Sequence, residues 1–147
     1  MMTGLFGNGA PVIMAIKPKY ANLIYDGMKQ WEFRKAPPPL MRVVYVYESE
    51  PVSAITGTLF FRSKVEGIVD DVWETVTRGK VFTKNLTGIG LDALKAYVGN
   101  SPTVAALRVA GASRMEKPVK IASRPPMNWC TLDSCSRRRV ADGGIQS

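Results

Sequence analysis

Short blocks of apolar and polar residues follow one another along this chain, and each block carries the period of a strand or of a helix. Val12–Lys17 (VIMAIK) is an apolar run of strand length. Pro18 fits the first turn of a helix, and Tyr20, Leu23 and Ile24 then fall at i, i+3 and i+4, which makes one apolar stripe. Gly27 is placed to end that helix in the left-handed conformation. Gln30–Lys35 alternates, with Trp31 and Phe33 on one face and Glu32 and Arg34 on the other, until Pro37–Pro39 stop it. Arg42–Glu48 is β-branched and aromatic and reads as a central strand, closed by a turn at Ser49-Glu50-Pro51. Ala54–Arg62 is a further strand, which Lys64–Ile68 extends past a bulge.

The second half alternates in the same way. Val69, Val72, Trp73 and Val76 line one face of a short helix, with Asp70 and Asp71 in its first turn, where the helix dipole favours them. Arg78–Gly90 lacks a period and reads as a loop. Leu91–Val98 is another amphipathic helix, stopped at Gly99-Asn100. Thr103–Ala110 and Pro118–Ala122 read as two separate strands. Residues 1–11 read as a flexible leader, 12–132 as one domain and 133–147 as a loosely ordered polar tail. Five or six short strands with about three short helices between them predict an α+β domain built on a small barrel or a strongly curled sheet.

Composition narrows the function classes. Lys plus Arg number 20 against 12 acidic residues, a net charge of +8. That excess favours polyanionic partners. It is shared along the chain, with +5 over residues 1–115 and +3 over 116–147, where Arg137-Arg138-Arg139 form a basic run. There is no histidine, so any acid–base chemistry falls to Lys, Glu, Asp or Tyr. The two cysteines, Cys130 and Cys135, are too few for a structural zinc site. They read as reduced thiols of a cytoplasmic protein. No apolar run reaches the length of a membrane span, and neither a metal nor a cofactor is expected.

Four segments, in order, carry a family resemblance. Ile16-Lys17-Pro18 with Tyr20 and Ile24 comes first. Gly27-Met28-Lys29-Gln30-Trp31-Glu32-Phe33-Arg34 fits a G-x-K-x-x-E-x-R signature. Tyr47-Glu48-Ser49-Glu50-Pro51 and Gly57 fit Y-x-S-x-P…G, and Arg124-Pro125-Pro126-Met127-Asn128-Trp129 supplies a closing proline-plus-aromatic motif. Together they resemble the ASCH domain, a branch of the PUA-like superfamily. The resemblance implies a PUA-like β-barrel with a cleft beside the first helix, and RNA or a nucleotide-like ligand as partner. One subgroup of the family resembles an N4-acetylcytidine amidohydrolase with a lysine and, three residues later, a threonine nucleophile. Here Lys29 matches the lysine, but Glu32 stands in place of the threonine.

The candidate ligand residues are therefore Lys17, Tyr20, Lys29, Glu32, Arg34, Ser49 and Trp129. Lys17 ends a strand against a helix N-terminus, a place suited to phosphate. Glu32 and Arg34 are two apart on a strand and share a face about 6.6 Å across. They suit either an ion pair or a recognition pair, in which Glu32 accepts from an exocyclic amine. Ser49 can donate from its turn, and Trp129 is a candidate for stacking a base. The primary expectation is a binding domain for RNA or a modified nucleoside. The alternative is a small metal-independent hydrolase, a ribonuclease or an amidohydrolase of an acylated nucleoside, with Lys29 and Glu32 as its catalytic residues acting on a water.

Overall fold

Six strands and four helical segments follow from these patterns in a computed structural model that describes residues 9–78, 84–122 and 124–132. β1 (Val12–Ile16) leads directly into α1 (Pro18–Tyr25), with Pro18 in the first turn as expected. Gly27, at φ +80°, turns the chain out of the helix. β2 (Trp31–Arg34), β3 (Val43–Glu48) and β4 (Ala54–Gly67) follow, then α2 (Val69–Thr77), a single turn α3 (Lys84–Thr87) and α4 (Leu91–Val98). β5 (Val104–Val119) and β6 (Trp129–Thr131) complete the sheet. The strand order is β2-β5-β4-β3-β1-β6, with β1 parallel to β3 and the other pairs antiparallel. The sheet curls into a half-barrel, and α1, α2 and α4 pack on it. This is the α+β, PUA-like architecture that the sequence predicts.

The structure departs from these expectations in four places. Thr103–Ala110 and Pro118–Ala122 are not two strands: β5 runs unbroken from Val104 to Val119. Gly111 and Pro118 suggest breaks, but the long partner β4 takes up the irregularity in register shifts at Ile55/Gly57, Phe60/Phe61 and Phe61/Ser63. The loop after α2 contains the turn α3. Cys130 is disulfide-bonded rather than a free thiol, which corrects the expectation of a reduced side chain there. Cys135 lies outside the described residues, as do most of the expected leader, the expected tail and Arg137-Arg138-Arg139. Residues 9–11, expected in the leader, are tied down: Arg42 Nη1 donates to the Ala10 carbonyl at 3.0 Å, and the Leu132 N–H donates to the Pro11 carbonyl at 2.8 Å.

Three cores hold the curl, the smallest of them built from Ile13, Tyr47, Ile55 and Cys130. Val12, Met14, Val44, Val46, Leu59 and Phe61 pack beneath Ala21 and Ile24 of α1. Phe33, Val104 and Ala106 pack against Val72 and Val76 of α2 and against Leu94 and Val98 of α4. Trp31 and Trp73 are half-buried against this second core, and Trp73 stacks on Phe33 at 6.3 Å. On the flank of α1, Tyr25 donates to or accepts from Thr56 Oγ1 at 2.8 Å, and the Arg114 guanidinium lies 4.2 Å from the Tyr25 ring centre. Gly57 permits this approach, because a Cβ there would stand 2.3 Å from the Ser113 carbonyl and 2.5 Å from the Tyr25 hydroxyl. Among the described residues, no helix is long and apolar enough to cross a membrane.

Candidate functional site

The end of β1, the first turn of α1, β2, the β3–β4 turn, α4 and the Pro125–Met127 segment surround one cleft of about 600 Å³. That volume lies within the range of small-ligand sites. Six of the seven candidate ligand residues line it: Lys17, Tyr20, Lys29, Glu32, Arg34 and Ser49. Trp129 does not. Its indole N–H donates to the Ala36 carbonyl at 2.9 Å, and the ring packs against the first core.

The floor is a chain of charges held by the protein itself. Lys29 is 3% exposed. Its ammonium donates to the Trp31 carbonyl, to the Thr87 carbonyl at 2.8 Å and to Glu32 Oε1 at 3.1 Å. An ammonium has three protons, so none is left over. Glu32 Oε2 accepts from Arg34 Nε at 2.9 Å and from Arg34 Nη2 at 2.7 Å. Arg34 also donates from Nη2 to the Ala15 carbonyl at 2.8 Å and from Nη1 to Asn128 Oδ1. These bonds clasp one edge strand of the sheet, β2, to β1 and to the residue that precedes the opposite edge strand, β6.

Burial pushes the Glu32 carboxyl up, but the Lys29 and Arg34 charges and their hydrogen bonds outweigh it and hold the group below the usual carboxylate range. Glu32 is therefore an anion and an acceptor at neutral pH. Gly88, at φ +83°, lets the α3–α4 turn fold closely over Lys29: a Cβ there would meet the lysine Cδ and Nζ at 2.8 Å. No group of three His, Cys, Asp or Glu side chains among the described residues is placed to hold a metal.

The rim differs. Lys17 is exposed and caps α1 without a side-chain hydrogen bond. Ser49 is fixed through its backbone N–H, which donates to the Ile16 carbonyl at 3.1 Å. Four aromatic residues line the cleft: Tyr20, Phe33, Tyr47 and Tyr97. Among the described residues, the Ser49 and Tyr47 hydroxyls have no hydrogen-bond partner, although Tyr47 is only 7% exposed. Tyr97 is 41% exposed, and Met127, which also lines the cleft, is fully exposed. Sequence reasoning left these last three residues out of the site. Tyr47 and Met127 lay within motifs already singled out. Tyr97 falls on the polar face of α4, and nothing local signals that this face borders a cleft.

A family model described as the ASCH domain matches residues 14–106. The crystal structure of ASCH from Zymomonas mobilis superposes with a TM-score of 0.70 at 17% identity, covering 90% of this chain and 94% of that one. A tyrosine-to-phenylalanine mutant of the same Zymomonas mobilis protein superposes with a TM-score of 0.69 at 17% identity, covering 91% and 98%. Its serine-to-alanine mutant gives 0.70 at 17%, covering 93% and 98%. At this identity the likeness is one of fold. A search of the curated proteins finds no significant match.

Proposed function

The chain belongs to the ASCH domain family, and on that premise we propose that its cleft binds a single base, presented by RNA or by a modified nucleoside. The observation that carries the reading is the convergence of Lys17, Tyr20, Lys29, Glu32, Arg34 and Ser49 on one cavity. The cavity suits a base better than a run of phosphates. Its lining holds Lys17, Lys29 and Arg34 against Glu32 and Glu50, so it is close to neutral, and its walls are aromatic. A flat, polar-edged base gains stacking from such walls, worth about 1–3 kcal/mol per base. Glu32 Oε1 accepts only from Lys29 and so keeps one acceptor site for a base N–H, while Ser49 and Tyr47 offer hydroxyls.

The hydrolase alternative has less support. A general base needs a free lone pair near its substrate, and all three Lys29 protons are donated within the protein. A carboxylate held below its usual range, as Glu32 is, makes a weak base. The binding reading is tested by titrating adenosine, cytidine and N4-acetylcytidine into the protein while following amide chemical shifts. Saturable shifts at Tyr20, Ser49 and Tyr97 support it. Saturable binding that leaves those residues unmoved, or no binding of any nucleoside or short RNA, contradicts it.

A further inference from the structure

Two tyrosines on different walls of the cleft share an arrangement. Lys19 Nζ lies 4.9 Å from the centre of the Tyr20 ring on α1, and Lys35 Nζ lies 5.1 Å from the centre of the Tyr97 ring on α4. The Lys35 backbone N–H also donates to the Tyr97 hydroxyl at 3.2 Å, so the segment that leaves β2 is pinned to α4. Tyr20 and Tyr97 both line the cleft, whereas Lys19 and Lys35 do not. Both lysines are exposed, and among the described residues neither joins a salt bridge. Each tyrosine thus borders the cavity and carries an unpaired cation outside it. A free nucleoside has no group for those two cations to bind. A nucleotide within a strand has phosphates on either side of its base, placed to lie outside a cavity that takes only the base.

We propose that the cleft is the central subsite of a track for single-stranded nucleic acid. One base enters the cavity, and the flanking phosphates are held at the Lys19–Tyr20 and Lys35–Tyr97 pairs. The proposal rests on the base-binding reading above and adds the class of ligand, a strand rather than a free nucleoside. The near-neutral cavity and the cationic positions outside it divide the work, with stacking inside and charge outside. Single-strand sites combine aromatic platforms with basic grooves in this way.

The test compares adenosine with a nine-nucleotide single-stranded RNA of mixed sequence, using the wild type and the double variant Lys19→Gln/Lys35→Gln. Affinity for the RNA is measured by fluorescence anisotropy between about 50 and 300 mM salt. Counterion release gives single strands a slope of about −0.7 per phosphate contact. The double variant is therefore expected to flatten the slope of log affinity against log salt by about 1.4 and to weaken RNA binding at low salt. Its affinity for adenosine should fall less than its affinity for the RNA, since adenosine carries no phosphate for either lysine and loses only what each lysine does to its tyrosine ring. An unchanged slope overturns the proposal, and so does an equal loss of adenosine and RNA affinity. If adenosine binds the cleft and the RNA binds no tighter, the strand track is wrong while the base-binding reading stands. If neither ligand binds the wild type, both are wrong.

Discussion

The floor and the rim of the cleft are built from the same kinds of residue and are used in opposite ways. On the floor, Lys29, Glu32 and Arg34 are buried or nearly so, and their hydrogen bonds go to one another, to main-chain carbonyls and to Asn128. At the rim, the side chains of Lys17, Ser49 and Met127 make no hydrogen bond or ion pair among the described residues, and Tyr47 packs its ring with Ile13, Ile55 and Cys130 while its hydroxyl stays without a partner there. A charged residue in a cleft is therefore not by itself a ligand residue. The floor makes the cavity and sets its electrostatics, whereas the rim has polar and apolar groups still to satisfy. Substitutions on the floor should act first on stability, and substitutions at the rim on binding.

The largest effect is expected at Glu32. Glu32→Ala leaves buried Lys29 and half-buried Arg34 without their shared anion and should cost about 3–5 kcal/mol of unfolding free energy, read by urea denaturation. A loss below about 1 kcal/mol would place the floor charges in water and undo the contrast. Arg34→Ala should cost about 2–3 kcal/mol, because hydrogen bonds to charged groups are the stronger ones and the clasp between the sheet edges goes with them. Hydrogen exchange should then rise in β2 and β6 before it rises in β4.

The acid response follows from the same group. The folded state holds Glu32 below the usual carboxylate range of about 4.3. Its contribution is thus complete above that unfolded value and is lost as pH falls through the lower folded one. The stability gap between wild type and Glu32→Gln should be constant from about pH 5 upward and should narrow below about pH 4. A gap that widens on acidification would reverse the assigned direction.

Effects at the rim should be smaller for stability and visible in binding. Tyr97→Leu removes one exposed hydrogen bond, from the Lys35 N–H, and should lower the unfolding free energy by no more than about 0.5–1.5 kcal/mol, while weakening RNA binding by about 1–3 kcal/mol. Lys17→Ala should do least. It should change the salt dependence of RNA binding by less than the roughly 0.7 of one phosphate contact, with no shift in the denaturation midpoint beyond error. If Lys17→Ala unfolds the protein as readily as Glu32→Ala, floor and rim are not distinct.

Much of the architecture was legible because local period and tertiary role agree. The run from β1 into α1, the alternation of β2 and the amphipathic α2 and α4 all bury the faces that their spacing selects. The sequence was misleading where a residue's partner lies far along the chain. Lys29 looks like a turn lysine, and it is buried because Thr87, 58 positions later, returns over it. Trp129 looks open after a double proline, yet its N–H goes to Ala36, 93 positions back. Gly111 and Pro118 break the local pattern of β5, and only pairing with the long β4 keeps that strand continuous. The candidate site was legible as a set, because the motif residues converge. Which of its members are available to a ligand depends on those distant contacts, and no window of sequence shows them.

The central claim is that a base enters this cleft and meets its rim. Amide chemical-shift mapping with a short single-stranded RNA tests it most directly. The largest saturable shifts are expected at Tyr20, Ser49, Tyr97 and Met127. Shifts confined to the exposed Arg62 and Lys64 on β4, with the cleft unmoved, would contradict it.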